Sequence, residues 1–213
     1  MHLYLASTSP ARLATLRAAG IEPTVVPSEV DEDAAVAEAE ASNGPLGPAD
    51  MVLLLARAKA EAVIGLEGVD TGLVLGGDSA FVIDGEIFGK PHTHERATAR
   101  WHAHRGRTGT LYSGHWLIRI ENGTPVASTG AVATAEVTFA ADVTDSEIDA
   151  YVASGEPLKV AGAFTIDSLG AAFIEHIAGD PSTVIGVSVP TVRKLATELG
   201  VFWPDLWSSK PGV

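Results

Sequence analysis

Cysteine is absent from the 213 residues, and that absence removes a disulfide framework, a thiol nucleophile and every cysteine-type zinc site. It fits a reducing compartment. Basic residues are scarce as well: 14 Lys and Arg stand against 27 Asp and Glu, a formal net charge of −13. Non-specific affinity for DNA or RNA comes largely from Lys and Arg neutralising phosphates, so the composition argues against a nucleic-acid partner. Any phosphate chemistry must then be local. No apolar run reaches membrane-spanning length, and no charged region precedes a long apolar segment near the start of the sequence. A soluble cytoplasmic protein, without a membrane partner, is the expectation. What is abundant is hydrophobic content, 46%, which at this length can bury one large core in a single domain or two tightly joined lobes.

The chain alternates elements and shows no internal repeat. Residues 2–6 read as a strand, 10–19 as a helix closed by Gly20, and 21–27 as an extended segment. The stretch DEDAAVAEAEASNGPLGP follows, rich in Ala and Glu and ending in Gly and Pro. It predicts a mobile surface insertion over 33–49. Asp50 can cap a helix running to about Ile64, and LVLGGDSAFVIDGEIFGK reads as a strand and hairpin. A second hairpin is expected around Asn122-Gly123. Thr144 and Glu147 make a capping box for a short helix ending at Gly155, and residues 190–199 form a last helix before Gly200. Strands, helices and antiparallel hairpins intermix, which predicts a mixed α/β protein rather than a pure doubly wound sheet.

Three places carry chemistry. In LYLASTSPARLATLRAAG an apolar strand runs into Ser-Thr-Ser-Pro and then an arginine. With Ser9 as N-cap and Pro10 at the first helical position, Arg12 sits at the third, inside the turn whose N–H groups lack partners. Hydroxyls, amides and a guanidinium then converge where the helix dipole favours an anion. The same residues also describe an ordinary capped helix with a solvated arginine. In SAFVIDGEIF, Asp84-Gly85 suits a two-residue hairpin that pairs Ile83 with Glu86 and, counting outward, Ser79 with Lys90. Asp78 would stand beside Lys90, either as part of a metal and phosphate site or as a surface ion pair of little energetic value. Gly76-Gly77 before it would let another group approach the backbone closely. Lys59, third, shares a helical stripe with Val52, Leu55 and Val63, while Arg57 and Glu61 point elsewhere. A lysine there either snorkels or reaches into a cleft. The pairs His92-x-His94 and His102-x-His104 resemble metal spacing, but on a helix residues two apart do not face each other.

Taken together, LASTSPARLATL, VDE at 30–32, LARAKA at 55–60, GGDS followed by GKP at 89–91, YSG at 112–114, YVASGEP and AGAF…GDPSTVIGVSVP resemble the Maf-type nucleoside triphosphate pyrophosphatases. The likeness runs in the same order from the first strand to the last helix. It implies an elongated α/β fold shared with inosine triphosphatases, one domain over 1–213 whose two lobes flank a cleft, and a homodimer. Carried over residue by residue, it also implies roles. Ser7, Ser9 and Arg12 match the phosphate-binding loop, Lys59 and Lys90 the cleft lysines, and Glu32 with Asp78 the acidic residues implicated in metal binding. Asp78 matches the proton acceptor as well. The implied cofactor is Mg²⁺ or a similar divalent cation such as Mn²⁺, and the implied partner a nucleoside triphosphate. A triphosphate brings about four negative charges, which metal and cations must offset before a hydroxide can approach phosphorus.

Three positions that vary with nucleotide preference correspond to Ala11, Ser79 and Asp167. The thymidine and uridine triphosphate enzymes carry Arg, Thr and Gln there, and the 7-methylguanosine triphosphate enzymes another set with an acidic residue in place of Gln. This chain matches neither set fully. Asp167 could accept hydrogen bonds from a guanine N1–H and amino group or from a cytosine amino group, and would repel the carbonyl edge of uracil. The expected reaction splits the α–β bond into monophosphate and pyrophosphate. Two other readings stand beside it: a nucleotide-binding regulator of septation without efficient turnover, and a histidine-dependent metallohydrolase.

Overall fold

A computed structural model of the chain describes residues 1–208. In chain order its elements are β1 (Leu3–Ala6), α1 (Pro10–Ala18), β2 (Thr24–Val25), α2 (Glu32–Asn43), α3 (Pro48–Ala62), β3 (Gly72–Ile83) and β4 (Glu86–Phe88). Then come α4 (His94–His104), β5 (Thr108–Glu121), β6 (Thr124–Phe139), α5 (Asp145–Ala153), β7 (Ile174–Gly179), α6 (Pro181–Ile185) and α7 (Val189–Glu198). Short 3-10 turns at Glu156–Lys159, Ala161–Ala163, Leu169–Phe173 and Trp203–Leu206 complete the described elements. The strands pair in the order β2-β1-β3-β5-β6-β7, with β4 added to β3. Parallel pairs (β1 with β2 and with β3) and antiparallel pairs (β3 with β4, β6 with β7) coexist, so the mixed α/β expectation holds.

The chain divides into two compact units. The first takes Met1–Asp78, Ser113–Ala133 and the described residues from Gly186 on; the second takes Ser79–Tyr112 and Thr134–Ile185. In the first, Leu3, Leu5, Leu16, Leu73, Leu75, Leu117, Val192 and Leu195 form one apolar cluster, and Tyr4, Ala60, Val63, Val74 and Ile118 belong to another. The second packs Phe81, Trp101, Phe139, Ile148, Tyr151 and Phe164 around ring-to-ring contacts.

Local chemistry explains where the elements start and stop. Ser9 caps α1 by accepting from the Arg12 N–H, Pro10 fills its first position, and Gly20 closes it in the left-handed region at φ 83°. The segment expected as a mobile surface insertion contains a helix, α2: Ala and Glu favour helix, Asp31 accepts from the Ala34 N–H at 3.0 Å, and no residue of it is buried. Helix α3 begins at Pro48, behind Gly47, so Asp50 lies inside its first turn rather than at the expected cap. Both hairpins form as expected, with Asp84-Gly85 and Asn122-Gly123 at positive φ, and the first keeps the predicted Ile83–Glu86 pairing. The capping box at Thr144 and Glu147 is present in full. The 21–27 segment pairs as a strand only at Thr24–Val25. Among the described residues no helix is long and apolar enough to cross a membrane.

Candidate active site

Helix α3 lies against β3 and β5 because two glycines leave room for it. A Cβ on Gly76 would fall 2.0 Å from the Ala56 carbonyl oxygen, and one on Gly114 would fall 2.2 Å from that of Val52. Both separations are far inside van der Waals contact. With Val52, Leu55, Ala56 and Ala60 buried on the same stripe, Lys59 is carried inward as well, only 8% exposed. Its Nζ donates to Asp78 Oδ1 at 2.8 Å and pairs with Glu32 Oε1 at 2.7 Å. Asp78 is 9% exposed at the end of the apolar run of β3, whereas the Glu32 side chain, opening α2, is about half exposed. One ammonium thus holds two carboxylates from separate elements.

The start of α1 supplies the second half. Ser7 Oγ accepts from the Ser9 N–H at 3.2 Å and from Arg12 Nη1 at 3.1 Å, while Arg12 Nε donates to the Gly186 carbonyl at 2.8 Å. The guanidinium passes over Gly77, where a Cβ would sit 3.3 Å from Nε. Burial lowers the Arg12 pKa, opposed by the charges of Asp78 and Glu32; the group stays charged, since arginine does not deprotonate in proteins. Burial pushes the Asp78 carboxyl up, and Lys59 and Arg12 pull it back only in part. Two cations and two carboxylates leave the cluster formally neutral before any anion arrives.

Among the residues singled out in the sequence, the structure brings Ser7, Ser9, Arg12, Glu32, Lys59 and Asp78 into this first unit. Ala11 lies half-buried in the same opening turn of α1. Ser79, Lys90 and Asp167 belong to the second unit, where Ser79 is half-buried and Lys90 and Asp167 are exposed. The expected Ser79–Lys90 pairing lies beyond the β3–β4 ladder, which runs from Ile83–Glu86 to Phe81–Phe88, where β4 ends. Pro91 restricts Lys90 and has no N–H to continue the ladder, and Arg100 takes the Gly89 carbonyl. His104 is fully buried against the rings of Phe88 and Phe139. Among the described residues no three of His, Cys, Asp and Glu gather to hold a metal.

Sequence reasoning missed the Gly186 carbonyl that orients Arg12 and the Ser188 N–H that donates to His115 Nε2 at 2.9 Å at the start of α7. Backbone groups leave no side-chain signal. It also gave no role to Glu156, which lies in YVASGEP and on whose carboxylate several donors of the second unit converge.

The family model described as Maf-like protein matches residues 2–199. A "Nucleoside triphosphate pyrophosphatase" of Leifsonia xyli subsp. xyli is 65% identical over 98% of this chain and 97% of its own length. Proteins with the same description are 48% identical in Rhodococcus jostii, covering 98% and 97% of the two chains, and 49% in Streptomyces avermitilis, covering 98% and 95%.

Proposed function

Because the chain belongs to the Maf-like protein family, we propose that it hydrolyses the α–β bond of a nucleoside triphosphate, consuming one water and releasing the monophosphate and pyrophosphate. The observation that carries this reading is the buried Lys59–Asp78 pair, joined by the half-exposed Glu32, in the same unit as the Ser7–Arg12 turn. Asp78, its carboxyl raised by burial, takes the proton of the attacking water. Arg12, Lys59 and the positive end of the α1 dipole neutralise phosphate oxygens, the first through a guanidinium already oriented by Gly186 and Ser7. Ser7 and Ser9 shape that turn.

The donor set fits Mg²⁺ or Mn²⁺. Glu32 and Asp78 offer hard oxygens to a single cation position now taken by the Lys59 ammonium, and such ions are held by one or two carboxylates plus substrate phosphates. A neutral cluster cannot by itself receive about four negative charges. When bound, the divalent ion supplies further neutralisation of the phosphates and acidifies water. By resemblance, Lys90 adds a phosphate contact, and Ala11, Ser79 and Asp167 bear on the base. The same resemblance supports a cytoplasmic homodimer.

Pyrophosphate release from uridine, thymidine, cytidine, guanosine and 7-methylguanosine triphosphates, with and without Mg²⁺, tests the proposal. Metal-dependent release from at least one of them is expected. Binding without release from any nucleotide would sink hydrolysis and favour the regulatory reading.

A further inference from the structure

Glu156 follows Gly155 directly after helix α5 and belongs to no motif role described above. Its carboxylate accepts from the Tyr151 hydroxyl at 2.9 Å, the Thr165 hydroxyl, the Leu169 N–H at 3.1 Å and the Gly170 N–H at 3.0 Å. The Ser168 side chain donates to it too. A carboxylate offers about four lone-pair directions, so this one is saturated. Burial works to raise its pKa, and the hydroxyls of Thr165 and Ser168, the Gly170 amide and the Tyr151 hydroxyl overcome it, holding the group down to about 2.

The loop tied in this way has little else to hold it. Asp167, Ser168 and Leu169 are exposed, Leu169 by 59%, and Ile166 is only half-buried. Gly170 is buried and closes the loop tightly: a Cβ there would fall 2.6 Å from both the Thr165 carbonyl oxygen and the Tyr151 hydroxyl. Tyr151 in turn is packed edge-on against Trp101 at 5.1 Å and lies 5.5 Å from Phe173. The carboxylate therefore connects the loop to the aromatic core of its unit, and does by polar contacts what side-chain burial does elsewhere.

We propose that Glu156 is a positioning residue for nucleobase selection: by gathering Tyr151, Thr165, Ser168, Leu169 and Gly170 on one carboxylate it fixes the conformation in which the 165–170 loop presents Asp167. This rests on the reading of Asp167 as the group that faces the base. In Glu156→Gln, one acceptor oxygen remains and the other becomes a donor turned toward donors, so the loop loses its single conformation. Glu156→Asp keeps the charge on a shorter stem and retains part of the arrangement.

The experiment compares wild type, Glu156→Gln, Glu156→Asp and Asp167→Gln. It measures specificity constants on the five triphosphates named above, the Mg²⁺ concentration for half-maximal rate, and hydrogen exchange of the Leu169 and Gly170 amides. For Glu156→Gln, the ratio between the best and worst base should fall about tenfold, with the Mg²⁺ requirement unchanged and both amides exchanging at least about tenfold faster. Glu156→Asp should fall between it and wild type. If Asp167→Gln shifts the ratios while Glu156→Gln leaves them unchanged, or lowers all five equally, positioning by Glu156 is overturned. If Asp167→Gln leaves the ratios unchanged, the base-reading role of Asp167 fails instead, and unaltered amide exchange in Glu156→Gln would refute the tether whatever the kinetics show.

Discussion

Lys59 shows at the level of one side chain how stability and chemistry are linked here. Its ammonium is buried, which is costly unless the charge is paired, and the pairing comes from Asp78 and Glu32, the two carboxylates proposed to hold the divalent ion. Replacing it by Met leaves Asp78 buried with only Arg12 to compensate, since Glu32 is exposed enough to turn to water. Lys59→Met should lose about 3 kcal/mol in urea unfolding, the scale of breaking a buried pair, along with nearly all turnover; a loss below about 1 kcal/mol would show that the pair adds little to folding. Asp78→Asn is close to isosteric and should keep the fold while lowering kcat by about 10²- to 10⁴-fold, the range of a lost general base. More than a tenth of the wild-type rate at saturating Mg²⁺ would remove Asp78 from that role. Lys59 was legible from its place on an apolar stripe, and Arg12 from the Ser-Pro helix start. Glu156 was not, because its partners are hydroxyls and amides up to 14 residues away in sequence whose convergence depends on the folded loop.

Between elements, the decisive contact is α3 on β3 and β5, and it depends on what two positions lack. Gly76→Ala or Gly114→Ala would drive a methyl group into a helix carbonyl oxygen, and backbone cannot swing aside as a side chain can. Each change should cost about 1 to 3 kcal/mol, a fall in Tm of roughly 3 to 10 °C at this chain length. Each should also lower turnover, because α3 carries Lys59. A variant with normal Tm and turnover would show that the helix moves away freely. The GG pair was readable as a place of close approach, but the helix that approaches it was not. Hairpins, the Ser9 cap and the capping box were readable because their rules span two to four residues, whereas the Asp50 cap was misplaced because Gly47-Pro48 starts α3 earlier. The helical nature of the 33–49 region was hidden by the Gly and Pro that follow it, although Asp31 and Gly44 mark its ends. The outward Ser79–Lys90 extrapolation failed because one register, correct at the turn, was carried past the end of β4.

For the whole molecule, the response to acid follows from one group buried in neutral form. His104 is fully buried, and burial first, then the neighbouring Arg100, lowers its pKa to about 4, with only the Gly162 backbone working the other way. The unfolded chain binds this proton near pH 6.5 and the folded one does not, so stability falls as pH drops from about 6.5 to about 4 and that loss is complete below. The shift corresponds to on the order of 3 kcal/mol. Carboxylates act in a different window. Glu156, held down to about 2 against the effect of burial by its donors, contributes stability above its ordinary range near 4.5 that is lost as pH falls through about 2. Asp78 is raised by burial and therefore favours the folded state as it takes up a proton. Both effects are common to the wild type and to a variant that changes only the histidine. His104→Leu keeps an apolar side chain of similar bulk against Phe81, Phe88 and Phe139 and removes the titrating ring. Urea unfolding of the two proteins at pH 7, 5.5 and 4 should show the wild type losing about 2 to 4 kcal/mol more than the variant over that interval, with similar further losses below pH 4. Parallel curves would mean that the ring is protonated without cost in the folded state, and the acid response would then have to come from the carboxylates alone.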